Sequence, residues 1–84
     1  SEFEEKVIEE EVYLKLEEAL SKLPPQSKRI IDLYMKGLKN QEIADKLGIS
    51  INTVKTLKKN IYMSLMKSLA SNISLMVLFK DFLQ

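Results

Sequence analysis

The chain has 84 residues, with 13 Lys or Arg against 12 Asp or Glu, and it contains neither Cys nor His. Those absences remove thiol chemistry, thiolate and imidazole metal sites, and histidine as a general base, so no catalytic residue, metal site or cofactor is expected and the chain reads as a non-enzyme. Glycine occurs only at positions 37 and 48 and proline only at 24 and 25, which leaves long helical spans and little turn chemistry for hairpins: an all-α fold follows.

From Phe3 to Leu23 the apolar residues Phe3, Val7, Ile8, Val12, Leu16, Ala19, Leu20 and Leu23 recur every three or four positions, with glutamates between them. This pattern predicts a helix with one buried stripe and an acidic, solvated outer face. Pro24 and Pro25 end it, because the first restricts Leu23 and neither can donate into a continuing ladder. Pro25 suits the first turn of a second helix, where its missing N–H is not needed. Ile30, Ile31, Leu33, Tyr34 and Leu38 give that helix its apolar face, and Gly37 caps its end.

A third helix is expected to start at Asn40 or one residue earlier, with Asn40 as its cap and Ile43, Ala44 and Leu47 turned inward. Gly48 ends it. Ser50 is placed to cap a fourth helix, on which Val54, Leu57, Ile61, Leu65, Ser68 and Leu69 form the core side with Lys58 on the flank. Asn52, Lys55, Thr56, Lys59 and Met63 fall on the far side as a strip without acidic residues. Ser71, Asn72 and Ser74 favour a break near 70–74, followed by a short helix with Leu75, Leu78, Phe79 and Phe82 on one stripe and more apolar residues around it. That segment needs cover, from the first helix, from self-association or from a partner.

Ala44, Gly48 and Val54 stand at intervals of four and six, which suits two helices joined by a tight turn: the alanine lets the axes approach, the glycine takes a positive φ, and the β-branched residue packs over the alanine. The chain is therefore read in three parts. Residues 1–23 are an acidic amphipathic helix, 24–69 a helix-turn-helix domain with its motif at 40–59, and 70–84 an apolar C-terminal segment. The expected architecture is a four-helix domain containing a three-helix DNA-binding core, winged-helix-like but without a wing, plus a short apolar C-terminal helix.

Charge follows the same division. Residues 1–23 hold three Lys against eight Glu, and residues 24–69 hold nine Lys or Arg against three Asp or Glu. One end repels phosphate and the other attracts it. Lysine toward guanine, asparagine toward adenine and threonine toward either a polar edge or a thymine methyl are the groups that read a major groove. Lys55, Thr56 and Lys59 are the first candidates for base contact, with Asn52 and Asn60 behind them. Lys39, Asn40, Gln41, Ser50, Thr53 and Lys58 are the candidates for phosphate, most of them at helix N-termini. Three lysines in five residues would alone read as a solvated face; the Ala44, Gly48 and Val54 spacing reverses that reading.

No charged-then-apolar leader pattern opens the chain, and its longest apolar stretch, Ile73 to Phe79, is well short of the roughly 20 residues of a membrane span. A soluble protein inside the cell, without a membrane partner, is expected. The start within a charged helical pattern also suits a piece of a longer protein.

Leu23 to Lys59, LPPQSKRIIDLYMKGLKNQEIADKLGISINTVKTLKK, resembles region 4 of bacterial RNA polymerase sigma factors of the extracytoplasmic-function type. The LP opening followed by KRI, the Gly-Leu before the motif, and E-I-A, L-G-I-S and N-T-V-K carry the resemblance, which covers roughly Glu10 to Leu69. It implies a cytoplasmic bacterial domain that binds the −35 element of double-stranded promoter DNA in transcription initiation, docks on the β-subunit flap of core polymerase, and can be sequestered by an anti-sigma factor. It also implies a preceding region 2 in the intact protein. Carried over by position, the base readers are Lys55, Thr56, Lys59 and Asn60. Two positions depart from the family: Lys39 stands where a Ser or Thr cap is frequent, and Leu57 where an Arg is frequent. The output domain of LuxR-type response regulators shares G-L-x-N-x-E-I-A and T-V-K, but the L-P-P-Q-S-K-R opening and the long acidic first helix suit sigma factors better. A helical protein-interaction module without DNA binding is the third reading.

Overall fold

The computed structural model describes residues 1–69 and 79–84. Four α-helices are formed, α1 Glu2–Ser21, α2 Pro25–Met35, α3 Asn40–Leu47 and α4 Ile51–Ser68, and a 3₁₀ helix spans Phe79–Leu83. The described residues contain no strand, so the expected all-α class and the four-helix order hold.

The boundaries follow local chemistry. Pro24 caps α2 and Pro25 occupies its first turn, with no side-chain bond required of either. Gly37 and Gly48 adopt φ values of 91° and 67°, a region in which a Cβ is disfavoured. Each glycine lets the next residue reach back across a helix end: the Leu38 N–H donates to the Leu33 carbonyl at 3.2 Å, and the Ile49 N–H to the Ala44 carbonyl at 3.0 Å. These are the long back-bonds that close a helix C-terminus and turn the chain sharply. Ser50 then caps α4, its Oγ accepting from the Thr53 N–H at 3.0 Å.

The start of α3 differs from expectation. Lys39 is the capping residue, with extended backbone at ψ 164°, and Asn40 is already helical. Lysine has no side-chain acceptor, so the cap works in one direction only: the Glu42 carboxylate accepts from the Lys39 N–H at 2.9 Å. The Asn40 amide is thereby left for another task.

Helix α4 is the central element and packs against α1, α2, α3 and the 3₁₀ turn. Its phase explains this, since Val54, Lys58, Ile61, Leu65 and Leu69 recur at three and four and are all buried. They meet Ala19 and Leu23 from the end of α1, Ile30 from α2, Ile43 and Ala44 from α3, and Phe82 from the 3₁₀ turn. Ile30, Ile43, Val54 and Leu65 are completely buried, each contributing about 1.5–3 kcal/mol by leaving water. Ser68, expected on the core side, is exposed, the core side at that end of α4 being filled by Leu65 and Leu69.

Only part of the predicted stripe on α1 is covered. Val12, Leu16 and Leu20 are half-buried and Ala19 is buried, but Phe3 is 77% exposed. A helix of 20 residues is about 30 Å long, and its first turns extend beyond the helices that could cover them, giving a molecule 47 Å in its longest dimension. Val7 and Ile8, expected on the same stripe, lie outside the described side chains. The expected break near 70–74 and the stripe residues Leu75 and Leu78 lie outside the described residues. What is described of the C-terminal segment packs on α4, where α1 was one expected cover.

Candidate nucleic-acid interface

The two motif helices meet through Ala44 and Val54, which are 1% and 0% exposed. With Val54 inward, the helical phase carries Asn52, Lys55, Thr56, Lys59 and Met63 outward. All five are exposed, as is Asn60 beside them. The strip predicted for base contact therefore exists as one continuous face of α4.

The candidate phosphate contacts divide into two groups. Lys39, Gln41, Ser50 and Thr53 are exposed at the N-terminal ends of α3 and α4, where unpaired backbone N–H groups and the helix dipole favour an anion. Some of their side chains are already engaged locally. Gln41 Nε2 donates to Asp45 Oδ1 at 2.9 Å, and the Ser50 and Thr53 hydroxyls lie 2.8 Å apart. Among the described residues the ion pairs are Ser1 with Glu4, Lys22 with Glu18 and Lys36 with Asp32. None of them engages Lys39, Lys55 or Lys59, whose charges face solvent.

Lys58 and Asn40 form the second group, and Lys58 departs furthest from expectation. It is 2% exposed. Its ammonium lies 4.9 Å from the ring centroid of Tyr34 and 4.7 Å from that of Phe82, and it donates to Asn40 Oδ1 at 2.9 Å and to the Gln84 backbone carbonyl at 3.4 Å. Asn40 Nδ2 donates to the same carbonyl at 3.4 Å. The two rings stand edge to face, 4.8 Å apart at 87°. Ring faces and two carbonyl oxygens stand in for the water the ammonium has lost, yet desolvation still pulls its pKa below the ordinary lysine value. In this structure Lys58 is therefore not placed to meet phosphate. Its phase gave the signal, since a residue four after Val54 lies only about 40° from it on a helix of 3.6 residues per turn.

Tyr34, Phe82 and Gln84 were not among the expected site residues. Tyr34 has the signature of an ordinary core or rim aromatic, and nothing local marks Phe82 or Gln84 as neighbours of the motif. Together with Lys39, Asn40, Gln41, Lys55 and Lys58, Tyr34 and Gln84 line an open concavity of about 810 Å³ between the α2–α3 connection and α4. This concavity adjoins the basic strip through Lys55, so one surface carries both the N-terminus of α3 and the exposed face of α4.

No helix among the described residues is long and apolar enough to cross a membrane. A family model, sigma-70 region 4, matches residues 13–65, from the second half of α1 to Leu65 of α4. No curated protein and no solved structure matched the chain.

Proposed function

The chain belongs to the sigma-70 region 4 family, and from that premise we propose that it reads the −35 element of a bacterial promoter through the major groove, as the C-terminal domain of a sigma factor of the extracytoplasmic-function type. Region 4 is the promoter-binding part of sigma factors and works with RNA polymerase. The finer reading is supported above all by one observation: Lys55, Thr56 and Lys59 lie together on an exposed strip of α4, opposite the residues that lock α4 onto α3.

In this reading α4 enters the groove. Lys55 and Lys59 donate to guanine O6 and N7, Thr56 meets a polar base edge or a thymine methyl, and Asn60 and Asn52 address bases at the margins. Lys39, Gln41, Ser50 and Thr53 hold the flanking phosphates and fix the register without reading sequence. The β-subunit flap of core polymerase is the protein partner and an anti-sigma factor the sequestering one. A region 2 in the intact protein supplies contact with the −10 element. The place of action is the bacterial cytoplasm.

The test is promoter footprinting with the intact sigma factor and core polymerase. Lys55→Ala and Lys59→Ala should weaken protection at −35 and flatten its sequence preference, and unchanged preference in both variants would defeat the assignment. A pull-down of core polymerase separates this function from a LuxR-type output domain. Salt-dependent binding to duplex DNA separates both from a protein-interaction module.

A further inference from the structure

The carbonyl of Gln84 accepts from the Lys58 ammonium and from the Asn40 amide, one on α4 and the other at the N-terminus of α3. An ammonium and a side-chain amide at a helix N-terminus are the donors that a backbone phosphate oxygen takes, and here they hold the chain's own oxygen instead. Phe82 fixes the segment there: it is 1% exposed and its ring lies 4.7 Å from the ammonium, beside that of Tyr34. The segment itself is a 3₁₀ helix of five residues, a form with poorer hydrogen-bond geometry than an α-helix and little stability of its own. Among its described side chains Phe82 is the buried one, and the Gln84 carbonyl accepts from the domain, while Lys80, Asp81 and Leu83 are exposed.

We propose that Phe79–Gln84 is an intramolecular latch on the DNA-facing concavity, which keeps Lys58 and Asn40 away from phosphate until a duplex displaces it. The latch rests on the DNA-binding reading above and adds regulation to the same surface. When it is seated, the domain offers Lys39, Lys55 and Lys59 to DNA. When it leaves, Lys58 loses Phe82 and the carbonyl, and its four-carbon stem lets the ammonium swing from Tyr34 toward solvent and the duplex. One further phosphate contact becomes available, and the Asn40 amide with it.

The test uses the 84-residue chain with its C-terminus amidated, so that Gln84 presents a neutral carbonyl, and a short fluorescein-labelled duplex of mixed sequence, with anisotropy followed across a potassium chloride series. Phe82→Ala should bind about three- to tenfold more tightly than the unaltered chain at low salt. The slope of log K against log salt should be the same for both, because Lys58 meets phosphate in either complex once the latch is displaced. Adding Lys58→Met to Phe82→Ala should make the slope shallower by about one. Equal affinity for the unaltered chain and a folded Phe82→Ala variant, or a slope unmoved by Lys58→Met, would overturn the latch and leave the DNA reading standing. Absence of salt-dependent binding by every variant would overturn both. Should Phe82→Ala lose helicity, Phe82→Trp decides, because the chain contains no other tryptophan. Its emission should shift to the red when duplex is added, and emission unmoved at saturating duplex would overturn the latch.

Discussion

The two faces of α4 carry the same residue to opposite ends. Lys55, Lys58 and Lys59 lie within five positions, yet Lys55 and Lys59 stand in solvent on a strip free of described carboxylates, while Lys58 is enclosed by two rings and two carbonyl oxygens. Helical phase alone separates them: one step of about 100° converts a solvent-facing charge into an interior one. A run of lysines therefore says little until the phase is set by a residue whose burial is known, and Val54 sets it here.

The comparison predicts that the inner face answers in stability and the outer face in DNA binding. Leu65→Ala, at a completely buried position, should show the largest effect, about 3 kcal/mol lost in urea unfolding. Lys58→Glu should follow at roughly 2–3 kcal/mol, because a carboxylate would then be buried against ring faces and carbonyl oxygens with no cation beside it. A melting curve unchanged by Lys58→Glu would mean that the ammonium is not enclosed in solution. Lys59→Glu should move stability by no more than about 0.5 kcal/mol. Lys59→Ala should instead remove about 1–3 kcal/mol of discrimination between promoter sequences, read by competition footprinting.

Gly48→Ala tests the turn between the faces. A Cβ there meets nothing within 4 Å, so the loss should be purely conformational, about 1–2 kcal/mol for a left-handed alanine. The smallest effect concerns pH. Burial holds the Lys58 pKa below 10.5, so between the lowered value and 10.5 the unfolded chain binds more protons than the folded one. Stability contributed by Lys58 therefore rises with pH across that window and is constant below it. Thermal unfolding followed as pH is raised toward 10.5 should show the unaltered chain gaining on Lys58→Met.

Much of this was legible in the sequence because it is locally determined. The double proline, the two glycines and Ser50 each act through their own dihedral angles or hydroxyl, so helix ends could be placed without knowing what lies across the core. The period of α4 gave both its buried and exposed faces, and the exposed candidates Asn52, Lys55, Thr56, Lys59 and Asn60 are found on the surface. Three features needed the fold. Phe3 has the right phase to be buried, but periodicity does not say how far the neighbouring helices extend. Asn40 has the right chemistry for a cap, but the extended backbone falls on Lys39, so the cap is one residue earlier and the asparagine is free to accept from Lys58. The enclosure of Lys58 depends on Phe82 and Gln84, more than 20 residues away in sequence, and no local pattern carries a contact of that separation.

The acidic α1 packs on α4 alongside Ser68, at the end opposite Ser50, Lys55 and Lys59. A molecule with near-zero net charge but separated poles feels little net pull toward a polyanion and a substantial torque. On the DNA-binding reading proposed above, in dilute salt, where the screening length exceeds about 10 Å, that torque would turn the domain during approach so that the N-terminal half of α4 leads and α1 trails. The glutamates of α1 would then act before any contact forms, by thinning out the misoriented collisions, and their effect would be seen in the association rate while the dissociation rate stayed the same.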